Sequence, residues 1–88
     1  MNGVVESGNR LNITATSTAI TGPGRLMGLF VSQASSTPTV KVEDDAGTIA
    51  NEFTPLPGTY YPLPCAFNGT LRVTIDGTVD CTVFWVSG

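Results

Sequence analysis

The chain has 88 residues, which allows one domain, and a net charge of −3 from four basic and seven acidic side chains. Charged residues make up 12% of the chain, against about a quarter in a typical globular domain, while 41% are hydrophobic, which excludes a disordered composition. The few basic residues form no cluster, and no apolar run approaches the ~20 residues of a membrane span. We therefore expect neither a nucleic-acid partner nor a membrane partner.

The N-terminal sequence MNGVVESGNR contains no basic segment followed by an apolar one. It therefore predicts no signal peptide, and we expect synthesis in a cytosol without export. In a reducing cytosol the two cysteines, Cys65 and Cys81, are predicted to be buried thiols. A bridge between them stays open as an alternative if strands bring them together.

Alternation of apolar and polar residues, β-branched residues and regular turn signals predict an all-β chain. The predicted strands cover residues 3–6, 10–17, 25–33, 39–43, 48–53, 59–67, 70–76 and 79–86. The predicted connections are a turn at 21–24, a loop at 34–38, an acidic turn at 44–47, an Asn-Gly hairpin at 68–69 and a turn at Gly77.

About eight short strands in one domain indicate a small antiparallel β-sandwich or jelly roll, with a small closed barrel as the alternative. Within the strand predicted at 10–17, Leu11, Ile13 and Ala15 share one face. In the strand at 39–43, Val40 and Val42 are predicted to point inward. The predicted domain spans residues 1–88.

Two predicted strands are apolar on both faces, which a half-buried antiparallel strand is not. In 25–33, one face carries Met27, Leu29 and Val31 and the other carries Leu26 and Phe30. In 79–86, Phe84 and Val86 oppose a face formed by Val79, Cys81, Val83 and Trp85. We expect another copy of the chain or a larger surface to cover these strands, with a closed barrel or local twist as the alternative.

Motifs of catalysis and of metal binding are sparse. Histidine is absent, which removes the usual general base and the commonest transition-metal ligand. The carboxylates at 43–45, Glu52, Asp76 and Asp80 lie in or near predicted turns, where solvated carboxylates serve the turn. We predict no enzyme, no cofactor and no metal site; calcium at residues 43–45 is a weaker alternative because carboxylates and turn carbonyls suit that ion.

The stretch EFTPLPGTYYPLPCAFNG, residues 52–69, places Pro-Leu-Pro twice around two tyrosines. Because proline cannot donate to a strand ladder, residues 55–64 are predicted to form an edge segment that crosses from one sheet to the other. Tyr60 and Tyr61 then point to opposite faces, one toward the core and one exposed. An exposed tyrosine is suited to stacking on a sugar or to anchoring a subunit contact.

The run TIANEFTPLPGTYYPLPCAFNGTLRVTIDGTVDCTVFWV, residues 48–86, resembles small structural proteins of tailed bacteriophages, of the capsid decoration or cement type. The resemblance implies a compact β-sandwich made in the host bacterial cytoplasm, often trimeric, which binds the major capsid protein on the outside of the head. Residues 1–8 are predicted to be an extended arm that reaches over a neighbouring capsid subunit. The candidate residues for subunit or capsid contact are Met27, Leu29, Val31, Tyr60, Tyr61, Phe84 and Val86.

A second function fits the same aromatic residues. A carbohydrate-binding or adhesin module of a phage tail or fibre would use Tyr60 or Tyr61 together with Trp85 as a stacking surface.

Overall fold

The computed structural model describes residues 8–35 and 37–87, and the regular elements in this part of the chain are all strands. In chain order they are β1 (Asn9–Ile13), β2 (Ser17–Thr21), β3 (Gly24–Ala34), β4 (Thr39–Asp44), β5 (Gly47–Phe53), β6 (Thr59–Phe67), β7 (Thr70–Asp76) and β8 (Val79–Ser87). The described residues contain no helix long and apolar enough to cross a membrane. The all-β class predicted from the sequence is confirmed.

The strands form two four-stranded antiparallel sheets that pack face to face. The first sheet has the order β1-β8-β3-β6 and the second has the order β2-β7-β4-β5. Each strand of the first half pairs with its counterpart from the second half: β1 with β8, β2 with β7, β3 with β6 and β4 with β5. This nested pairing is that of an eight-stranded jelly roll.

The core lies between the two sheets and draws residues from seven of the eight strands. Val40 and Val42 of β4 point into it, as predicted. The buried apolar residues are Ile13, Ile20, Leu26, Leu29, Val31, Val40, Val42, Phe67, Leu71, Val73, Val79, Cys81 and Val83. No polar or charged side chain of the described residues is buried with them.

The acidic turn between β4 and β5 has the geometry predicted from its sequence. Asp44 Oδ1 accepts the backbone N–H groups of Ala46 at 3.0 Å and Gly47 at 3.1 Å, and Gly47 has a φ of 144°. The other carboxylate oxygen of Asp44 accepts the N–H of Asn68 at 3.3 Å. Asp44 thereby links the β4–β5 turn of the second sheet to the connection between β6 and β7.

The single strand predicted at 10–17 is wrong. The chain leaves the first sheet after Ile13 and enters the second at Ser17, and Ala15 is exposed between them. Between these two strands, the Thr16 side chain makes the hydrogen bonds to the backbone of Ile75 that a strand would make with its own backbone. Its hydroxyl donates to the Ile75 carbonyl at 3.0 Å and accepts the Ile75 N–H at 2.9 Å. The strand predicted at 3–6 and residues 1–7 of the predicted arm lie outside the described residues.

The Asn-Gly hairpin predicted at 68–69 is also wrong, because β6 belongs to the first sheet and β7 to the second. Gly69 does take a positive φ of 78°, and its carbonyl accepts the N–H of Gly22 at 2.5 Å. The edge segment predicted to cross between the sheets at residues 55–64 is confirmed in its connection, because β5 and β6 are edge strands of different sheets. The crossing itself is shorter than predicted: it covers residues 54–58, and residues 59–64 already belong to β6.

Candidate interaction surface

A β-bulge in β3 decides which of its side chains face away from the core. The register of β3 against β8 shifts between Leu26 and Gly28, which oppose the adjacent residues Trp85 and Phe84, so β3 carries one extra residue there. The register against β6 shifts at the same place, but there the extra residue lies in β6, between Pro62 and Cys65. As a result Leu26 and Leu29 are 2% and 1% exposed, whereas Met27 and Phe30 are 44% and 37% exposed.

The bulge corrects the predicted alternation of this strand. The alternation predicts Leu29 and Val31 on the contact face with Met27, but both lie in the core, and Val31 is fully buried. Phe30, which an uninterrupted alternation places on the other face from Met27, lies on the outer side with it.

The alternation of β8 and β6 is as predicted. Phe84 and Val86 lie on the side of β8 away from Cys81 and Val83, and both are half-buried. Tyr60 is 44% exposed, while Tyr61 is half-buried against the core. The strand register brings these outward residues of β3, β6 and β8 onto one side of the first sheet.

We call this surface the apolar outer face. It consists of Met27, Phe30, Tyr60, Pro62, Pro64, Ala66, Phe84 and Val86. It spans the two central strands and the β6 edge of the sheet, so its side chains stand on a hydrogen-bonded ladder. Because large contiguous apolar patches on small proteins commonly serve in contacts, this face is the candidate interaction surface.

The absence of a side chain at Gly28 leaves room for the Tyr60 ring to pack against the sheet. A β-carbon at position 28 would lie 2.5 Å from the Tyr60 hydroxyl oxygen, so the Tyr60 side chain occupies the space above the glycine. The Tyr60 and Phe84 rings meet edge to face across this position, with centroids 6.3 Å apart. The strand pairing thus fixes the two rings relative to each other.

An open groove of about 570 Å³ adjoins these rings at the β3 end that carries Arg25. Its walls come from the start of β3, the end of β6 and the end of β8. The lining residues are Arg25, Leu26, Met27, Tyr60, Pro64, Cys65, Ala66 and Val86. Arg25 is the charged residue among them, so the groove is apolar with one basic side chain.

The outward side of the second sheet is polar by contrast. Glu43 and Arg72 are cross-strand neighbours there and form an ion pair at 4.0 Å. Lys41 and Thr74 form the next outward pair along the same strands. The two outward surfaces of the sandwich therefore differ in chemistry, and the apolar one is the candidate for contact with a partner.

The aromatic residues of the predicted sugar-stacking surface are not brought together. Tyr61 packs toward the core with its ring centroid 5.0 Å from that of Phe53, and its hydroxyl accepts the N–H of Leu56 at 2.8 Å. Trp85 is half-buried against the core, on the inward side of β8. Tyr60 alone of the three lies on the apolar outer face.

The carboxylates considered for catalysis or calcium bond mainly within the fold. Asp45 accepts the N–H of Thr70 at 3.2 Å, and Asp80 accepts the side-chain amide of Asn12 at 2.7 Å. Glu43 pairs with Arg72. Among the described residues no three His, Cys, Asp or Glu side chains are grouped so as to hold a metal ion. These contacts account for Glu43, Asp45 and Asp80 as turn and strand stabilisers.

Both cysteines are free thiols and lie on strands separated by β3. Cys81 is buried, as predicted, whereas Cys65 is half-buried and lines the groove. Cys65 is opposite Leu26 and Cys81 is opposite Val31, a spacing that the geometry of a disulfide does not allow. Burial, with a smaller contribution from neighbouring Asp80, raises the pKa of Cys81 from 9.0 to about 11.

The raised pKa of Cys81 predicts a loss of stability in alkaline solution. Between about pH 9 and pH 11 the unfolded chain releases this proton while the folded chain keeps it, so the free energy of unfolding falls as pH rises. We expect the urea midpoint of the unmodified chain to drop across this range. The Cys81→Ala variant should show a smaller drop, and a drop equal to that of the unmodified chain would contradict the assignment.

Comparisons with known proteins supply no relative for this chain. No family model, no curated protein and no solved structure matches it. The apolar outer face and its groove, which the bulge in β3 and the jelly-roll order create, are therefore the features on which a function is proposed.

Proposed function

We propose that the chain is a non-enzymatic structural protein of a virion, a decoration protein that binds the outside of a phage head and stabilises it. In this proposal it acts as a homo-oligomer, with a trimer favoured, and its partner is the major capsid protein. It is made in the cytoplasm of the host bacterium. The observation that carries the proposal is the apolar outer face on an otherwise polar, charge-poor jelly roll.

The architecture suits a protein whose task is contact. The exposed Met27, Phe30 and Tyr60 are held on a rigid sheet, so ordering them on contact costs little conformational entropy. A surface of this kind, repeated over many copies on a shell, gains avidity even where each contact is weak. The resemblance of residues 48–86 to phage decoration proteins supports the same proposal.

Binding to empty, expanded capsids of the encoding phage tests this function. The purified chain should sediment with the capsids and saturate at a fixed number of copies per capsomer. Met27→Asp on the apolar outer face should weaken binding by about tenfold or more, because it places a charge in the apolar contact. Thr74→Asp on the outward side of the second sheet is the matched control and should bind as the unmodified chain does.

Two results would overturn the proposal. One is the absence of co-sedimentation at any concentration. The other is selective binding on a glycan array without capsid binding, which would favour the carbohydrate-binding function, with Tyr60 beside the groove as its stacking residue.

A further inference from the structure

The exposed large hydrophobic side chains of the described residues occupy two places on the molecule. Met27, Phe30 and Tyr60 lie on the apolar outer face, and Leu56 lies on the crossing between β5 and β6. Leu56 is the most exposed of the four, at 64%. The first place includes the groove, which is concave, and the second is a projecting side chain.

The crossing that carries Leu56 is fixed at three points. Pro55 before it is fully buried, the N–H of Leu56 donates to the Tyr61 hydroxyl at 2.8 Å, and the N–H of Gly58 donates to the Val31 carbonyl at 2.7 Å. The backbone around Leu56 is therefore held in place while its side chain points outward. A preorganised apolar side chain of this kind loses little entropy when it binds.

Leu56 lies at the opposite end of β6 from the Cys65 end of the groove. It precedes the start of β6, where Thr59 pairs with Val31, whereas the groove extends from the Tyr60 side chain to Cys65 near the other end of that strand. The six residue-to-residue steps from Thr59 to Cys65 span roughly 20 Å of extended strand. A leucine of this kind that fills the Cys65 end of the groove therefore comes from another copy.

The charges near Leu56 and in the groove are opposite in sign. At the end of the sandwich where Leu56 lies, Glu52, Asp76 and Asp80 occupy or adjoin the strand ends. The basic residues of the described chain, Arg10, Arg25, Lys41 and Arg72, all lie further along their strands, and Arg25 lines the groove. An acidic end with a projecting leucine therefore matches an apolar groove with an arginine.

We propose that Leu56 of one copy inserts into the groove of the next, so that copies of this chain associate head to tail. The contact joins two different surfaces, so it is heterologous and builds a ring or an open chain. This inference rests on the homo-oligomer of the proposed function and deepens it by naming the contact between copies. Co-sedimentation with capsids tests capsid binding separately from this contact.

Two variants separate the two sides of the contact. Leu56→Asp removes the projecting side chain and leaves the groove intact, while Ala66→Glu blocks the groove opposite Arg25 and leaves Leu56 intact. Both positions are exposed, so circular dichroism should show an unchanged fold. In sedimentation velocity, each variant alone should be monomeric, with an apparent Kd for self-association raised at least about tenfold.

A mixture of the two variants gives the sharpest readout. One productive contact remains, between Leu56 of the Ala66→Glu chain and the groove of the Leu56→Asp chain, so the mixture should form dimers of one copy each. Thr54→Asp adds the same charge on the same crossing and should associate as the unmodified chain does.

The remaining outcomes overturn the proposal. If Leu56→Asp still associates while Ala66→Glu does not, the outer faces pack symmetrically on each other. If the mixture stays monomeric, the groove does not receive Leu56. If the unmodified chain is monomeric at its highest soluble concentration, the groove is occupied by a different protein.

Discussion

Leu29→Ala is expected to lower the free energy of unfolding by about 2–5 kcal/mol, whereas Met27→Ala two residues earlier should cost about 1 kcal/mol or less. Leu29 is 1% exposed in the core between the sheets, so its truncation leaves a cavity. Met27 is 44% exposed, so its truncation removes side-chain atoms that already contact water. Urea denaturation of the two variants and the unmodified chain measures both costs.

This pair tests the bulge in β3 directly. An uninterrupted alternation places positions 27 and 29 on the same face, and the two truncations would then have similar effects. The bulge separates the two positions, so their costs should differ by a kcal/mol or more. Equal costs, or a larger cost for Met27→Ala, would contradict the arrangement of the apolar outer face.

Gly28→Ala is expected to be the second most damaging change, with a loss of about 1–3 kcal/mol. The added β-carbon would lie 2.5 Å from the Tyr60 hydroxyl oxygen and closer still to the carbonyl oxygen of Tyr61. The tyrosine side chain can rotate away, but the carbonyl belongs to the backbone of β6 and cannot. The urea midpoint should fall, and β6 should lose protection from hydrogen exchange.

A double variant separates the two clashes. Adding Tyr60→Ala to Gly28→Ala relieves the contact with the hydroxyl but not the contact with the Tyr61 carbonyl, so the double variant should stay less stable than Tyr60→Ala alone. Full recovery would show that the glycine is needed only to seat the Tyr60 ring, and an unchanged midpoint for Gly28→Ala would contradict the close approach of β3 and β6.

The all-β class and most strands follow from the sequence because period-two alternation and turn residues are local signals. The turn at Asp44–Gly47 is an example, since an aspartate bonding its own backbone and a glycine with positive φ are properties of adjacent residues. The face assignment of Phe84 and Val86 is another, because β8 keeps its alternation from Val79 to Val86.

Two predictions that failed, the hairpin at residues 68–69 and the uninterrupted alternation of β3, concern features that depend on residues distant in the sequence. Asn68 and Gly69 suit a change in chain direction, but they do not determine which sheet the next strand joins. The pairing of β7 with β2 places that strand in the second sheet. The bulge in β3 did have a local signal that the alternation alone does not use. Gly28 stands inside an apolar strand, where an isolated glycine indicates a bulge or a close backbone approach.

The apolar outer face was only partly predictable for the same reason. Met27, Tyr60, Phe84 and Val86 were identified from alternation, but the groove depends on the pairing of β3 with both β6 and β8. The exposed position of Leu56 could not be predicted from alternation, because Leu56 lies between β5 and β6. Its role as a projecting side chain comes from the buried Pro55 and the two backbone hydrogen bonds that hold the crossing.

The measurement that tests the central claim most directly is the molar mass of the unmodified chain in solution, by light scattering across a concentration series. The claim is that the groove in the apolar outer face receives Leu56 of another copy of this chain. It predicts a mass that rises above that of one chain and approaches an oligomer as concentration increases. A single mass of 9.2 kDa at every concentration would contradict it.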